Sequence, residues 1–308
     1  MKLVTFEKSG RQAIGVLDGE TIRVLDAGAN PAFASMLALI EAGDEGLEAA
    51  RRASASAATE TVGAVRLKAP VPVPVQMRDS LVFEKHLRQA RANRHLWDET
   101  AQPMKPEDVK MPQVWSDQPI YYKGNRFSVS GPEDTIIWPR GETRLDFELE
   151  LGMFIGKGGC DIARADANDH IFGFTCFNDF SARDHQMLEG AGGLGPAKGK
   201  DFRTANAMGP CLVTRDEIGD GSGLTMIARV NGEEWARGTS SDMHHSFARI
   251  IEHVSRDEDL QPGEFIGSGT VGGGCGLELG RFLNPGDTVE LEIEGIGVLR
   301  SHIAAERR

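Results

Sequence analysis

From residue 119 onward, the chain is a succession of short apolar runs separated by glycine-containing turns. Runs of this length are typical of β-strands, and glycine suits the tight turns between them. Helical periodicity in this part is confined to residues 246–254 and a short stretch at 167–172. Because the strands do not alternate with long helices, the pattern predicts an α+β, β-rich fold rather than a parallel βαβ sheet.

The first sixty residues have the pattern of a small unit of their own. Three short apolar runs, at 3–6, 13–17 and 21–25, are separated by Ser9-Gly10 and Asp18-Gly19, which predicts three strands joined by tight turns. A helical pattern follows over residues 31–57, with Pro31 suited to a first helical turn.

A proline-rich segment at 68–75 then marks a joint, because proline fixes the backbone in an extended conformation. We therefore predict a small N-terminal α/β domain at 1–65 and a larger domain at 66–308. Just after this joint, residues 81–94 have the pattern of an amphipathic helix, for which Ser80 is the expected N-cap.

Charge and cysteine content exclude several classes of protein. The net charge of −12 argues against nucleic acid and anionic membranes as partners, since both require basic surfaces. No run approaches the roughly 20 apolar residues of a membrane span, and the N-terminus does not resemble a signal peptide. The four cysteines are scattered, as in reduced thiols. We therefore expect a soluble cytoplasmic protein.

The segment at 145–151, LDFELEL, is the strongest chemical signal. Strand side chains alternate between faces, so Asp146, Glu148 and Glu150 would share one face while the apolar residues enter the core. Adjacent acids repel one another unless a cation lies among them, and hard divalent cations prefer oxygen ligands. The alternative is an edge strand with a solvated acidic face, which protects against aggregation.

Two further segments carry candidate chemistry. Asp179 stands between two phenylalanines at the end of an apolar run, where it could complete a carboxylate set or act as a turn residue. His86 follows Asp79 by seven residues, a spacing that places both on one helix face. A histidine beside an acid is a credible general base, although a lone surface histidine on a basic helix is more common.

Two glycine-rich loops imitate nucleotide-binding motifs. Residues 267–272 match G-x-G-x-x-G, but more glycines follow, so no helix can begin there. Residues 195–200 lack the hydroxyl residue that a phosphate loop needs. Both loops can still supply backbone donors around an anionic ligand, with Lys200 or Thr270 as a polar tip.

Three motifs together resemble the fumarylacetoacetate hydrolase family: DFELE at 146–150, FNDFSARD at 177–184 and GKDF at 199–202. The resemblance covers roughly residues 75–300 and is specific in its combination of motifs. It implies a fumarylacetoacetate-hydrolase-like mixed β-roll, to which the small N-terminal domain is added, and a homodimer.

The resemblance also implies roles for individual residues. The metal ligands would be Glu148, Glu150, Asp179 and Asp79, holding Mg²⁺, with Mn²⁺ or Ca²⁺ as alternatives. The catalytic residues would be His86, Glu278, which orients the histidine, and Lys200. The substrate-binding residues would be Tyr122, Lys123, Arg126, Arg183, Gln186 and Thr270.

This chain departs from the family pattern at Leu81, where many relatives have tyrosine, and at Val271, where some have proline. Residues 97–113 form an extra loop that could be a substrate lid.

The expected function is metal-dependent hydrolysis of a C–C bond in a small β-diketo acid of the acylpyruvate or fumarylacetoacetate type. The alternative is a dehydratase or decarboxylase acting on a 2-keto acid, for example a 2-keto-3-deoxy sugar acid, through a metal-bound enolate. Fold and metal do not choose between these reactions. A non-catalytic metal-binding or ligand-sensing module is the third possibility.

Overall fold

The computed structural model describes residues 1–96, 98 and 100–307. The three predicted N-terminal strands are confirmed as β1 (Lys2–Lys8), β2 (Arg11–Asp18) and β3 (Thr21–Leu25). They pair as an antiparallel meander, because each connection is a tight turn with a residue in the left-handed region, Gly10 or Gly19. Two short strands complete the unit, β4 (Thr59–Thr61) and β5 (Arg66–Lys68).

The prediction of a single helix over residues 31–57 is wrong, because this segment is divided into three shorter elements. The structure has a 3-10 turn at Pro31–Phe33, then α1 (Met36–Glu41) and α2 (Gly43–Ser54). Gly43 has a φ of 56°, a left-handed conformation that ends α1 and redirects the chain into α2. The Ser35 hydroxyl caps α1 by accepting from the Ala38 N–H.

The remaining strands are β6 (Met77–Ser80), β7 (Tyr121–Lys123), β8 (Val129–Ser130), β9 (Thr135–Ile136), β10 (Leu145–Asp146), β11 (Leu149–Ile155), β12 (Ile171–Asp179), β13 (Ser181–Ala182), β14 (Asn206–Thr214), β15 (Thr225–Val230), β16 (Glu233–Thr239), β17 (Phe265–Gly267), β18 (Thr288–Ile293) and β19 (Gly297–Ile303). The remaining α-helices are α3 (Glu84–Ala92), α4 (Gln113–Asp117), α5 (Arg183–Ala191), α6 (Ala197–Lys200), α7 (Arg215–Ile218), α8 (Phe247–Val254) and α9 (Gly276–Leu279). The helix predicted at 246–254 is confirmed as α8, with Ser246 as its N-cap.

A large mixed sheet organises the chain. Its path is β4-β3-β2-β1-β14-β12-β11-β17-β6-β7, with β5 attached to β1 and β8 to β14. A second sheet has the order β16-β15-β18-β19-β9, and β10 pairs with β13. The fold is thus α+β and strand-rich, as expected. The large sheet continues across the β1–β14 pair into the N-terminal strands, and the domain division at residue 65 stays a prediction.

The helix after the proline-rich segment begins later than the sequence indicated. Ser80 ends strand β6 instead of capping a helix, and α3 begins only at Glu84, with no side-chain cap at Phe83. Asp79 therefore lies on a strand, so the argument that it shares a helix face with His86 is wrong. The two residues are nevertheless close, because Asp79 on β6 and His86 on α3 line the same cavity.

Hydrophobic packing covers both faces of the large sheet. On β11, Leu149, Leu151 and Met153 belong to one apolar cluster. Phe154 belongs to another, which includes Phe177 and Phe265 together with the N-terminal helices. This alternation leaves Glu150 on the same face as Phe154, at the end of β11 where the N-terminal cluster stops. In the described part of the chain, no helix is long and apolar enough to cross a membrane.

Candidate active site

Several strands of the large sheet end next to one another, and their ends carry acidic residues. Asp179 is the last residue of β12, Glu150 is near the start of the antiparallel β11, and Asp79 lies near the end of β6. In the sheet register, Asp79 is opposite Gly267 of β17 and Tyr122 of β7. Acids up to 100 positions apart in the chain thus come together because neighbouring strands end at the same side of the sheet.

Three carboxylates, from Asp79, Glu150 and Asp179, form a compact buried cluster whose oxygens lie within 4.8 Å of one another. The Gly269 N–H donates to Glu150 at 3.0 Å and to Asp79 at 3.2 Å. The Thr270 hydroxyl donates to Glu150 at 3.3 Å. Among the described residues, Asp179 Oδ1 is buried without a hydrogen-bond partner.

These carboxylates are held in unfavourable surroundings for negative charge. Burial, together with the charge of Asp179, raises the pKa of Asp79 to about 8. Burial and the neighbouring Asp79 raise the pKa of Glu150 well above its usual range. The pKa of Asp179 is also raised by burial, although Lys200 opposes this effect. A divalent cation would reverse all three shifts, because it favours the ionised forms.

Gly267 allows the carboxylates to approach one another. A Cβ at this position would collide with the Asp79 carboxylate and lie 3.0 Å from a Glu150 oxygen. A side chain there would push the two acids apart, so the glycine is needed for space rather than for an unusual backbone angle. The glycine-rich segment that imitates a dinucleotide motif thus serves as one wall of the acid cluster.

Glu148 lies in a different environment from the other acids. It accepts hydrogen bonds from Arg183 at 2.7 Å and from Lys200 at 2.5 Å. Burial opposes its ionised form, but these two cations outweigh it and lower the pKa of Glu148 to about 2. Lys200 also donates to Asp179 at 2.5 Å. Lys200 thereby links Glu148 to the acid cluster.

Asp146 is turned away from the acid cluster. It accepts from Arg183 at 2.9 and 2.7 Å and from the N–H groups of Gly276 and Leu277. The strand predicted over residues 145–151 is also interrupted, since β10 ends at Asp146 and β11 begins at Leu149. The alternative prediction, an edge strand with a solvated acidic face, is wrong. Strand β11 lies between β12 and β17, and its acids are buried.

His86 reaches the cavity from α3 and pairs with Glu278 of α9. The His86 Nδ1 atom is 3.0 Å from Glu278 Oε2, and both side chains are buried. The Gly273 N–H holds the other Glu278 oxygen at 2.7 Å. Burial opposes the charged imidazolium, but the charge of Glu278 outweighs it, so the pKa of His86 is raised. When Nδ1 donates to Glu278, Nε2 of the neutral ring is free to accept a proton.

Many of these groups line one cavity of about 380 Å³, within the usual range for small-molecule sites, while Asp146, Asp179 and Glu278 lie behind its lining residues. Most of the predicted site residues line it: Asp79, His86, Tyr122, Glu148, Glu150, Arg183, Gln186, Lys200 and Thr270. The Tyr122 hydroxyl donates to Asp179 at 2.6 Å, and burial keeps the phenol protonated by raising its pKa. Gln186 accepts from Arg183 at 2.8 Å.

Two predicted substrate-binding residues lie elsewhere. Lys123 is half-exposed and pairs with Glu258 at 3.1 Å, and Arg126 donates to the Val75 carbonyl at 2.8 Å. Neither is among the described residues that line the cavity, so their role in binding stays a prediction. Within residues 97–113, Trp97 and Glu99 lie outside the described residues. The described remainder does not line the cavity of the acid cluster, and a lid function also stays a prediction.

Sequence reasoning missed several contributors. Cys275 is buried, and its thiol is 3.3 Å from Glu278 and 3.9 Å from His86 Nδ1. Leu87, Ile120 and Leu277 line an apolar part of the cavity. No sequence pattern around them distinguishes them from ordinary core residues. Cys275 and Leu277 lie three and one positions before the predicted Glu278, and this adjacency was the one available signal.

The fold and the cavity place this chain among strand-rich α+β proteins that carry a carboxylate-lined small-molecule site at the edge of a central sheet. The family described as "Fumarylacetoacetate (FAA) hydrolase C-terminal" matches residues 79–304. This chain belongs to the fumarylacetoacetate hydrolase family.

Relatives and solved structures agree with this assignment. The oxaloacetate tautomerase YisK of Bacillus subtilis is 31% identical over 98% of this chain and 100% of its own length. The mitochondrial oxaloacetate tautomerase FAHD2A of Bos taurus is 34% identical over 78% of this chain and 74% of its own. The fumarylacetoacetate hydrolase of Exiguobacterium antarcticum superposes with a TM-score of 0.77, at 27% identity, over 99% of this chain and 100% of that one. The names of these relatives are those of enzymes with different reactions on related small acids.

Proposed function

We propose that this chain is a metal-dependent enzyme that cleaves a C–C bond in a small β-diketo acid of the acylpyruvate type by hydrolysis. One observation carries the proposal. One cavity of about 380 Å³ is lined by Asp79 and Glu150 of the acid cluster, by the buried Lys200 and by His86. Asp179 and Glu278 contact Lys200 and His86, respectively. An oxo-acid head group needs a cationic anchor, and hydrolysis needs a base; this cavity can provide both.

The chain's acids fit a divalent cation. Asp79, Glu150 and Asp179 would hold it, because their oxygens already converge and Asp179 Oδ1 has no other partner among the described residues. Glu148 would join them by exchanging its contact with Lys200 for the ion. An all-oxygen donor set favours Mg²⁺, with Mn²⁺ or Ca²⁺ as alternatives. When bound, the ion supplies a Lewis acid that polarises the substrate's oxo group and carboxylate.

His86 is the general base of the proposed reaction. Glu278 holds its Nδ1 atom, so Nε2 takes a proton from a water molecule that attacks the acyl carbonyl. The bond between the acyl carbon and C3 breaks, and its electron pair passes to the pyruvate fragment as an enolate. Lys200 lies in position to stabilise that negative charge. Return of the proton to C3 then yields a carboxylic acid and pyruvate.

Keto–enol tautomerisation of a 2-oxo acid is the second candidate. It is favoured by the relatives that are named as oxaloacetate tautomerases, one of them similar over its full length. In this reaction His86 would move a proton between C3 and the oxo oxygen, and no water would attack. Both reactions need the same base and the same anchor, so the products distinguish them.

Turnover of acetylpyruvate tests the proposal directly. We expect its diketone absorbance to fall and pyruvate to appear with Mg²⁺ or Mn²⁺, and neither to occur with EDTA. The His86→Ala variant should lose about 10²–10⁴-fold in rate, as is usual when a general base is removed. His302→Ala, which removes a half-exposed surface histidine, is the matched control and should keep full activity.

Other results would contradict the hydrolase. Enol–keto exchange of oxaloacetate without any pyruvate from acetylpyruvate would favour the second candidate. An active His86→Ala enzyme would show that His86 is not the base. The homodimer and the cytoplasmic location that the sequence led us to expect both stay predictions.

A further inference from the structure

The two strands that carry Asp79 and Tyr122 continue beyond the acid cluster. Asp79 is opposite Tyr122 and Ser80 is opposite Tyr121, and the pairing extends further because the Leu81 N–H donates to the Ile120 carbonyl at 2.9 Å. Side chains two positions apart on a strand point to the same face. Leu81 and Ile120 therefore follow Asp79 and Tyr122 on the cavity side, about 7 Å further along the strands.

Exposure increases in the same direction. Asp79 is buried, Leu81 is half-buried, and Ile120 is 36% exposed. Leu87 and Leu277, the chain neighbours of His86 and Glu278, line the same cavity. We define these four residues, Leu81, Leu87, Ile120 and Leu277, as the outer wall. It extends from the acid cluster toward solvent and is apolar.

The cationic groups of the cavity lie at its acid end. Among the described lining residues, these groups are Lys200, Arg183 and His86. Lys200 contacts Glu148 and Asp179, Arg183 contacts Asp146 and Glu148, and His86 contacts Glu278. Along the outer wall, the described residues offer no comparable partner for a second carboxylate. A carboxylate that loses water there without a partner is strongly disfavoured.

We infer that the outer wall selects 2-oxo acids whose far end is uncharged and apolar, and discriminates against 2-oxo dicarboxylates. The inference rests on the proposed function, in which the oxo-acid head group binds at the acid cluster. It specifies the substrate class of that site: acylpyruvates with a short alkyl group rather than a terminal carboxylate. Leu81 and Ile120 are the residues that determine this specificity.

Binding of two matched acids to the Mn²⁺-loaded protein tests the inference without requiring turnover. 2-Oxohexanoate and 2-oxoadipate have the same number of carbons and the same head group, and they differ only in a terminal methyl or carboxylate. By titration calorimetry we expect 2-oxohexanoate to bind at least about tenfold more tightly, since even one methylene in an apolar pocket changes affinity by that factor.

Charge substitutions localise the effect. Ile120→Lys and Leu81→Lys should each reduce or reverse the preference, because a lysine on the outer wall can pair with the terminal carboxylate. Val114→Lys is the matched control: Val114 is 48% exposed and is not among the lining residues, so its variant should keep the wild-type ratio.

Three outcomes would overturn the inference, and they are distinguishable. Equal or tighter binding of 2-oxoadipate to the wild type refutes the selectivity and leaves the proposed function standing. A wild-type ratio in both lysine variants of the outer wall shows that these residues do not contact the far end of the ligand. No Mn²⁺-dependent binding of either acid refutes the oxo-acid site itself, and with it the proposed function.

Discussion

Four buried acids at or beside the cavity fall into two groups that differ in the donors that contact them. Asp146 and Glu148 are paired with Arg183 and Lys200; the pKa of Glu148 is lowered to about 2, while burial raises the pKa of Asp146 although Arg183 opposes this effect. Among the described residues, the donors to Asp79 and Glu150 are backbone N–H groups and a hydroxyl, and both acids have raised pKa values. The chain neutralises the first group by itself. The second group has no cation of the chain to balance its charge when it is ionised, which is the position where a bound cation is expected.

The largest expected effect is on the balanced group. Asp146→Asn leaves Arg183 buried with one fewer negative partner, and breaking a buried ion pair costs about 3–5 kcal/mol of unfolding free energy. Denaturant unfolding of the variant measures this loss. Asp216→Asn is the control, since it removes a surface partner of Arg51, and we expect a loss of about 0–1 kcal/mol. Equal losses of unfolding free energy in the two variants would show that the buried Asp146–Arg183 pair contributes no more to stability than a surface pair.

The opposite result is expected in the unbalanced group. Glu150→Gln mimics the protonated acid that the raised pKa of Glu150 favours, so the metal-free variant should be about as stable as the wild type. Its affinity for Mn²⁺ should nevertheless fall by more than about 100-fold, beyond the usual effect of a residue that only supports a ligand. Calorimetric titration with Mn²⁺ measures this affinity. Unchanged Mn²⁺ binding would remove Glu150 from the ligand set.

The pH dependence of metal binding sharpens the comparison further. Between its usual pKa of 3.8 and about 8, the folded metal-free protein keeps a proton on Asp79 that the unfolded chain has lost. Its stability should therefore fall as the pH rises through this window. A metal must displace this proton and any proton held by Glu150, so Mn²⁺ affinity should rise at least about tenfold per pH unit up to about 8. A pH-independent affinity would contradict a protonated acid cluster.

The smallest expected effect concerns Thr270. Its hydroxyl donates a single, long hydrogen bond of 3.3 Å to Glu150, so Thr270→Val should change the free energy of unfolding or of metal binding by about 0.5–1.5 kcal/mol. Metal titration and steady-state rates would both detect it. A loss comparable to that of Glu150→Gln would show that Thr270 itself contacts the metal or the substrate.

Of the acid cluster, Glu150 was accessible from the sequence because strand alternation is local, whereas Asp179 was left open between a ligand and a turn residue and the helix argument for Asp79 was wrong. The alternation of acids with Leu149 and Leu151 depends only on neighbouring residues, and the core side of that pattern is confirmed. Which acids are paired with cations was not accessible. That depends on Arg183 and Lys200, which reach Glu148 from two short helices far along the chain.

The errors in the fold have a similar origin. Ser80 has the chemistry of an N-cap, but its backbone is taken up by long-range pairing with β7, which local propensity cannot reveal. The predicted helix over 31–57 failed for a local reason, the left-handed Gly43. The outer wall had little signal. Leu81 stood out only as a departure from the family pattern, and Leu87 and Leu277 differ from core leucines only in adjoining His86 and Glu278 and in facing the cavity.

The assembly of the acid cluster from strands β6, β11 and β12 has a consequence for folding kinetics. No local segment contains two of the three clustered acids, so the cation cannot be held before β17 has joined β6 to β11. This long-range step joins β6 to the rest of the large sheet, and it is expected late in folding. The bound ion should accordingly slow unfolding while leaving the refolding rate almost unchanged. For this chain, the metal would extend the lifetime of the native state without guiding the route to it.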